Sequence, residues 1–244
     1  MRASVVCCYN NEELFEAFVN SLRGQDEEVA VVGIDNRENQ FSSCADALNA
    51  GLAKVETEYV IFSHQDIVFT EPSSLRGFVD YLEKIGRNDI LGVAGVKKDV
   101  PGVYTNIWQG EGSAYAGRNR VQGLMKCQTL DECFFGGTTA GFREHPFDHT
   151  ICDNWHLYGV ERCLSALKRG DDVYVCDVRL RHLSGGNINH IYNRQLYALK
   201  RKYARDFDYV RTCCGFGSTR PVLNELGYLK AEFAVWRRGL ARNK

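Results

Sequence analysis

The sequence predicts an α/β domain with a mainly parallel sheet flanked by helices, followed by a helical extension. Three observations predict it. Short apolar runs rich in Val, Ile and Cys alternate with segments of helical period over the first hundred residues. Such alternation implies right-handed crossover connections and a mainly parallel sheet. Polar residues collect just past the ends of the runs, where sheets of this kind bind ligands. The chain's 244 residues, 44% hydrophobic and 25% charged, can bury a large core without disulfide or metal staples.

The elements follow in order. Residues 4–8 form an apolar run, and Asn10 or Asn11 then caps a helix with Glu12 and Glu13 in its first turn. Leu14, Phe18 and Leu22 give that helix its buried face. Residues 29–34 read as a second strand, and 42–53 as a helix of small residues suited to close packing on a sheet. Residues 59–63 read as a third strand. Pro72 opens a helix carrying Leu75, Val79 and Leu82, and residues 90–96 read as a fourth strand. Residues 101–123 are Gly-rich and weakly periodic, the pattern of a functional flap. A strand is expected at 125–130, a helix at 153–170, and one half-buried strand from 173 to 183. Residues 191–203 and 222–240 read as helices rich in Lys, Arg and aromatics.

Lys+Arg total 30 and Asp+Glu 31, a balance that argues against a nucleic-acid partner. The ten cysteines include no Cys-x-x-Cys pair, and several sit inside apolar runs, as buried thiols do. Residues 1–9 run straight into a strand, so no secretory signal is read and a reducing, cytoplasmic compartment is expected. No apolar stretch has the length of a membrane span. There is no phosphate-binding P-loop: Gly110-Glu111-Gly112 lacks the third glycine and the strand-to-helix context of a dinucleotide fingerprint.

The strand ends hold Tyr9 and Asn10, Asp35 and Asn36, and His64-Gln65-Asp66. Asp66 offers a hard carboxylate oxygen to Mg²⁺ or Mn²⁺. It serves equally as a turn carboxylate, and spacing alone leaves both readings open. Asp35 is a candidate contact for a base or ribose, or the start of an Asx turn. His182 ends a late strand, as a metal ligand or as an ordinary strand-end histidine. Asp131, Glu132, Asp148, Asp153 and Glu161 are candidate acid-base residues, Glu161 standing beside Trp155, His156 and Tyr158.

Ser4-Val5-Val6-Cys7-Cys8-Tyr9-Asn10-Asn11 is similar to the first strand and loop of the family-2 type of glycosyltransferases, whose Rossmann-like fold is called GT-A. Ala47-Leu48-Asn49-Ala50-Gly51-Leu52 and then Glu58-Tyr59-Val60-Ile61-Phe62-Ser63-His64-Gln65-Asp66 resemble the helix and strand leading to its Asp-x-Asp metal motif. The Asn49-to-Asp66 spacing is the most specific part. Glu161-Arg162-Cys163-Leu164, Gly170 and the strand to His182 resemble the family's acidic helix and closing strand. Two positions depart from the commonest pattern. His64 replaces the first Asp, and Trp155-His156-Leu157-Tyr158-Gly159-Val160-Glu161 replaces the usual Glu-Asp pair. Both departures resemble a bacterial subgroup linked to capsule or antibiotic-sugar assembly, in which the acid at the position of Glu161 is more often Asp.

The resemblance implies a catalytic domain over residues 1–190 and a helical extension over 191–244. It implies a nucleotide-sugar donor, UDP-linked, contacted by Tyr9, Asn10, Asp35, Asn49, His64, Gln65 and Asp66. A divalent ion, Mn²⁺ or Mg²⁺, would be held by Asp66 and His182. Glu161, or alternatively Asp131, would take the proton from a carbohydrate or lipid-linked acceptor, inverting the anomeric centre. A sugar-phosphate nucleotidyltransferase and a non-catalytic sugar-nucleotide-binding module are the rival readings. The C-terminal segment joins Leu226, Leu229, Phe233, Val235 and Trp236 to Lys230, Arg237, Arg238, Arg242 and Lys244. It is expected to dock its apolar residues on the domain, the alternative being peripheral contact with a membrane.

Overall fold

Alternating Val and Ile side chains build a sheet with two buried faces. The computed structural model describes residues 1–110, 112, 114–185 and 188–242, the last three as backbone only. Seven strands form the central sheet, in the order β2 (Ala30–Asp35), β1 (Ala3–Tyr9), β3 (Tyr59–Ser63), β11 (Phe134–Thr138), β5 (Ile90–Gly92), β12 (Val173–Cys176) and β9 (Leu124–Lys126). β2, β1 and β3 are parallel neighbours, as are β5 and β12, while β11 runs antiparallel to both β3 and β5. Five of the seven strands therefore share one direction, and β9 joins β11 in opposing them. The mainly parallel α/β sheet expected from the sequence is present.

The helices cover both faces. On one, α1 (Glu12–Arg23) and α3 (Ser74–Leu82) pack Phe18, Leu22, Leu75 and Phe78 against Val5, Cys7 and Ile61. On the other, α2 (Cys44–Leu52), α4 (Thr139–Glu144), α5 (Tyr158–Arg169) and α6 (His190–Lys202) pack against Val6, Val60 and Phe62. Neighbouring residues of one strand thus enter opposite cores, the period-two signature of a pleated strand. Asn11 caps α1 by accepting from the Leu14 amide at 3.1 Å. α2 needs its small residues: a Cβ at Gly51 would lie 2.4 Å from Val6 Cγ1. α6 buries Tyr192, Leu196 and Leu199, and the Tyr203 that follows it, in the core that holds Val6 and Phe62, while α7 (Pro221–Arg242) packs on α6.

Several expected elements divide. Residues 90–96 break at Val93 into β5 and β6 (Ala94–Val96), and 125–130 break into β9 and β10 (Thr129–Leu130). β6 and β10 leave the central sheet to pair with each other and with β7 (Val103–Thr105). The single strand expected over 173–183 is β12 followed by β13 (Arg181–His182), which pairs with β4 (Ile67–Val68) and β8 (Trp108–Gln109). The helix expected from 153 starts only at Tyr158, because Leu157 takes a left-handed conformation at φ 66°. The segment expected as a Gly-rich flap carries β7 and β8. There Trp108 stacks on Tyr115 at 4.3 Å, and Arg120 lies over the Tyr115 ring. Glu111, Ser113, Gly186, Asn187, Asn243 and Lys244 lie outside the described residues, as do the side chains of 240–242, including that of Arg242.

β14 (Tyr209–Arg211) and β15 (Phe216–Ser218) form a hairpin between α6 and α7. α7 does not dock its apolar stripe on the domain as expected; Leu226, Leu229, Phe233 and Trp236 face outward. No helix among the described residues is long and apolar enough to cross a membrane.

Candidate active site

Parallel strands β1, β2 and β3 end side by side, and their polar tails meet. The Phe62 ring, 4.8–5.5 Å from Phe135, Phe142 and Phe147, anchors β3 two residues before His64. Beyond it the chain turns, and Gln65 stitches the turn to the end of β1. Its Oε1 accepts from the Asn10 and Asn11 amides at 3.1 and 2.9 Å, and its Nε2 donates to Asn10 Oδ1 at 2.8 Å. Asp66 enters the interior just before β4.

β13 pairs with β4 so that His182 stands opposite Ile67, bringing it beside Asp66. His182 Nε2 lies 3.4 Å from Asp66 Oδ1, and Asp66 Oδ2 accepts from the Ser184 amide at 3.1 Å. The His64 ring sits 5.5 Å from that of His182, and its Nε2 shares a hydrogen bond with the Tyr158 hydroxyl at 3.1 Å. One ligand atom from each of His64, Asp66 and His182 falls within 4.8 Å of the others. Burial acts to raise the Asp66 pKa, but the His182 ring and the Ser184 amide outweigh it and hold the carboxyl well below the usual range. Burial and the facing His182 push the His64 imidazole down, favouring its neutral, ligating form.

His182 Nε2 is buried, and its polar neighbour is Asp66 Oδ1, at 3.4 Å but outside good hydrogen-bond geometry. The pair is loosely made, and a divalent ion between ring and carboxylate would give both a better-placed partner. Two imidazoles and one carboxylate are the donor set of a divalent transition ion, and imidazole favours Mn²⁺ over Mg²⁺. The residues fit such an ion, with Asp66 and His182 as the pair and His64 in reach as a third.

Two cavities flank this group. The first, about 450 Å³, is lined by Tyr9, Asn10, Asn36, Asn39, Leu48, His64, Gln65, Asp66 and Tyr158. The second, about 320 Å³, is lined by Asp131, Glu132, His156, His182, Tyr192, Cys213 and Cys214. His64, Trp155 and Ser184 line both, so the candidate metal ligands stand at the junction.

The expected residues divide accordingly. Tyr9, Asn10, His64, Gln65 and Asp66 line the first cavity, and Asp131 and His182 line the second. Asp35 stands outside that lining, its carboxylate held by Arg37 at 2.6 Å, which lowers its pKa to about 2. Buried Asn36 and exposed Asn39 line the cavity instead, Asn36 with both sides of its amide bonded to the Phe41 backbone, at 3.2 and 2.8 Å. Asn49 turns away to pin α2: its Nδ2 donates to Phe147 O at 2.9 Å, and its Oδ1 accepts from Phe147 N at 3.0 Å.

Glu161 lines neither cavity. It is 2% exposed, and its Oε1 accepts from Lys202 Nζ at 2.5 Å and from the Tyr203 hydroxyl at 2.7 Å. Those contacts tie α5 to α6. Glu161→Gln keeps an acceptor for Tyr203 but leaves Lys202 only its 2.7 Å pair with Asp148. We expect it to destabilise the fold by about 1–3 kcal/mol in denaturant titration, with turnover of the folded protein within about threefold of the parent.

The residues that sequence reasoning missed are Trp155, Ser184 and Asn39, and Glu132, expected only as an acid-base candidate, also serves the start of α5. Leu157 gives α5 no side-chain cap. Glu132 supplies one from a distant loop, its Oε1 accepting from the Gly159 amide at 2.9 Å. Gly159 leaves room for it, since a Cβ there would meet Glu132 Cγ at 2.9 Å. Burial, then the charge of Asp131, push the Glu132 carboxyl from its ordinary 4.5 up to about 8. Between those values the folded state holds a proton that the unfolded chain has lost. This contribution to stability therefore falls as pH rises from about 4.5 to about 8 and is flat above. Glu132→Gln is expected to flatten that slope and to gain about 1–3 kcal/mol near pH 8, read from melts across the window.

Residues 4–190 match a family described as Glycosyltransferase like family. A Fuscovulum blasticum protein described as ATP synthase subunits region ORF 6 is 27% identical over 186 residues, which are 71% of this chain and 70% of that one. The chain is also similar to solved structures. S. aureus TarS 1–349 in complex with UDP-GlcNAc gives a TM-score of 0.55 at 15% identity, over 84% of this chain. The chain spans 66% of that TarS chain, just under two thirds. The mannosyltransferase PcManGT from Pyrobaculum calidifontis, in complex with GDP-Man and Mn²⁺, gives 0.59 at 15% identity, over 98% of this chain and 75% of the other. At such identities the likeness is one of fold, and the fold is GT-A.

Proposed function

The chain belongs to the Glycosyltransferase like family, and from that premise we propose that it transfers a hexose from a nucleoside-diphosphate donor to an acceptor hydroxyl. The observation that carries the proposal is the meeting of Asp66 and the buried His182 nitrogen where the two cavities join. The complexes of TarS with UDP-GlcNAc and of PcManGT with GDP-Man and Mn²⁺ support a donor of this class.

The donor enters the first cavity. Tyr9 and Asn39 meet its base and ribose, with UDP as the proposed nucleotide. Asp66 and His182, with His64 in reach, would hold the divalent ion, Mn²⁺ before Mg²⁺. Bound there, the ion would offset charge on the diphosphate as it departs. Gln65 holds the strand ends together so that this group is fixed before the donor arrives.

The acceptor enters the second cavity. Asp131 is the base: its carboxylate lines that cavity, whereas Glu132 is committed to the Gly159 amide and pushed towards its protonated form. Asp131 takes the hydroxyl proton as the oxygen attacks the anomeric carbon and the diphosphate leaves. A single displacement of this kind inverts the centre. Trp155 lines both cavities and helps exclude water from the junction. The role extends to polysaccharide or glycoconjugate synthesis, including capsule or antibiotic-sugar assembly. Ten free cysteines support a reducing, cytoplasmic setting.

Hydrolysis of UDP-sugars, with and without Mn²⁺, tests the reading. Mn²⁺-dependent release of UDP supports it. Tight donor binding without release, even with acceptor sugars added, would leave a sugar-nucleotide-binding module. Pyrophosphate-dependent release of a sugar phosphate would make the chain a nucleotidyltransferase.

A further inference from the structure

Leu226, Leu229, Phe233 and Trp236 of α7 are 54–58% exposed. Their spacing of three and four residues sets them in one outward stripe, extended towards the helix start by Val222. The opposite side of α7 holds the domain. Asn224 is fully buried and donates to Tyr197 O at 3.2 Å, and Tyr228 packs on Tyr197. Glu225 accepts from the Tyr197 hydroxyl, and Glu232 accepts from Asn193 Nδ2 and pairs with His190. Both acids of the helix are thereby engaged by α6. Lys230 and Arg237 stand exposed on the other edge of the stripe. An apolar stripe rimmed by cations complements one kind of surface, hydrocarbon beneath anionic headgroups.

A second observation points the same way. A groove of about 210 Å³ runs between α6 and α7, lined by Leu196, Phe216 and Ala231 and also by Asn193, Lys200 and Arg238. Ile188, Tyr192 and Cys214 line both this groove and the acceptor-side cavity. The groove beneath α7 and the acceptor-side cavity therefore lie on two sides of one shared wall.

We propose that α7 lies on an anionic lipid surface, which would present a lipid-linked acceptor to the cavity that holds Asp131. The acceptor half of this inference rests on the glycosyltransferase reading; the lipid contact does not. The stripe enters the boundary between headgroups and acyl chains, while Lys230 and Arg237 meet the anionic headgroups.

The test is sedimentation of the full chain with phosphatidylglycerol or phosphatidylcholine vesicles. The parent is expected to bind phosphatidylglycerol at least about tenfold more tightly than phosphatidylcholine. L229S/F233S/W236S is expected to lose binding to both by at least about tenfold, and K230E/R237E to lose the preference. These side chains are exposed, so circular dichroism and donor calorimetry of both variants should match the parent. No binding by the parent, or unchanged binding by the triple variant, overturns the proposal. So does a parent dimer in light scattering that the triple variant dissolves, since a second copy would then cover the stripe. Vesicle binding without any nucleotide binding would sink the enzymatic reading and leave the lipid surface standing.

Discussion

Asp131→Asn is expected to lower turnover by about 10²–10⁴-fold, with donor affinity kept within about threefold. A base acts on the proton that leaves in the transition state, so its loss falls on kcat. Asparagine preserves the one structural duty seen for the residue, accepting from the Cys133 amide at 3.1 Å. Melting temperature should therefore stay close to the parent's, which separates lost chemistry from lost fold. Glu132→Gln is the control from the same cavity, since it keeps an acceptor for Gly159. If Glu132→Gln rather than Asp131→Asn abolished turnover, the base would be Glu132.

Asp66→Ala should remove Mn²⁺-dependent donor binding. Removing a partner outside the coordinating set costs roughly 10–100-fold in metal affinity, and a direct carboxylate ligand should cost more. It is the one negative charge in the group of His64, Asp66 and His182. His182→Ala should cost less, about tenfold, because a neutral imidazole adds a donor but no charge. His64→Ala should cost least, since its Nε2 is already shared with the Tyr158 hydroxyl. Calorimetry of UDP with each variant, in Mn²⁺ and in Mg²⁺, reads the order. An order with His64 first would move the metal towards Tyr158.

The fold was legible where local signals are strong. Val5, Val60 and Ile61 lie in runs that only a buried sheet explains, and Asn11 caps its helix as its side chain dictates. Longer strands were misjudged where the chain changes sheets, as at Val93, because leaving one sheet for another changes no residue type. Asp66 and His182 stood out singly, but 116 residues separate them, and only the β4–β13 pairing makes them neighbours. Glu161 shows the opposite case. Its aromatic neighbours suggested a site, yet its partners Lys202 and Tyr203 come from another helix and turn it into a tie between α5 and α6. Asn49 looked like part of a donor motif, and the Phe147 backbone uses both sides of its amide. In α7 the apolar period was visible, but not its direction. That direction is set by Asn224, Glu225 and Glu232, whose partners on α6 no local pattern reveals.

The most direct test of the central claim, a metal-bridged nucleotide site at Asp66 and His182, is calorimetric titration of the parent chain with UDP and GDP, with and without Mn²⁺. The predicted result is one site per chain, at least about tenfold tighter with Mn²⁺ for one of the two nucleotides. Equal affinity with and without the ion, or no binding of either nucleotide, would contradict it.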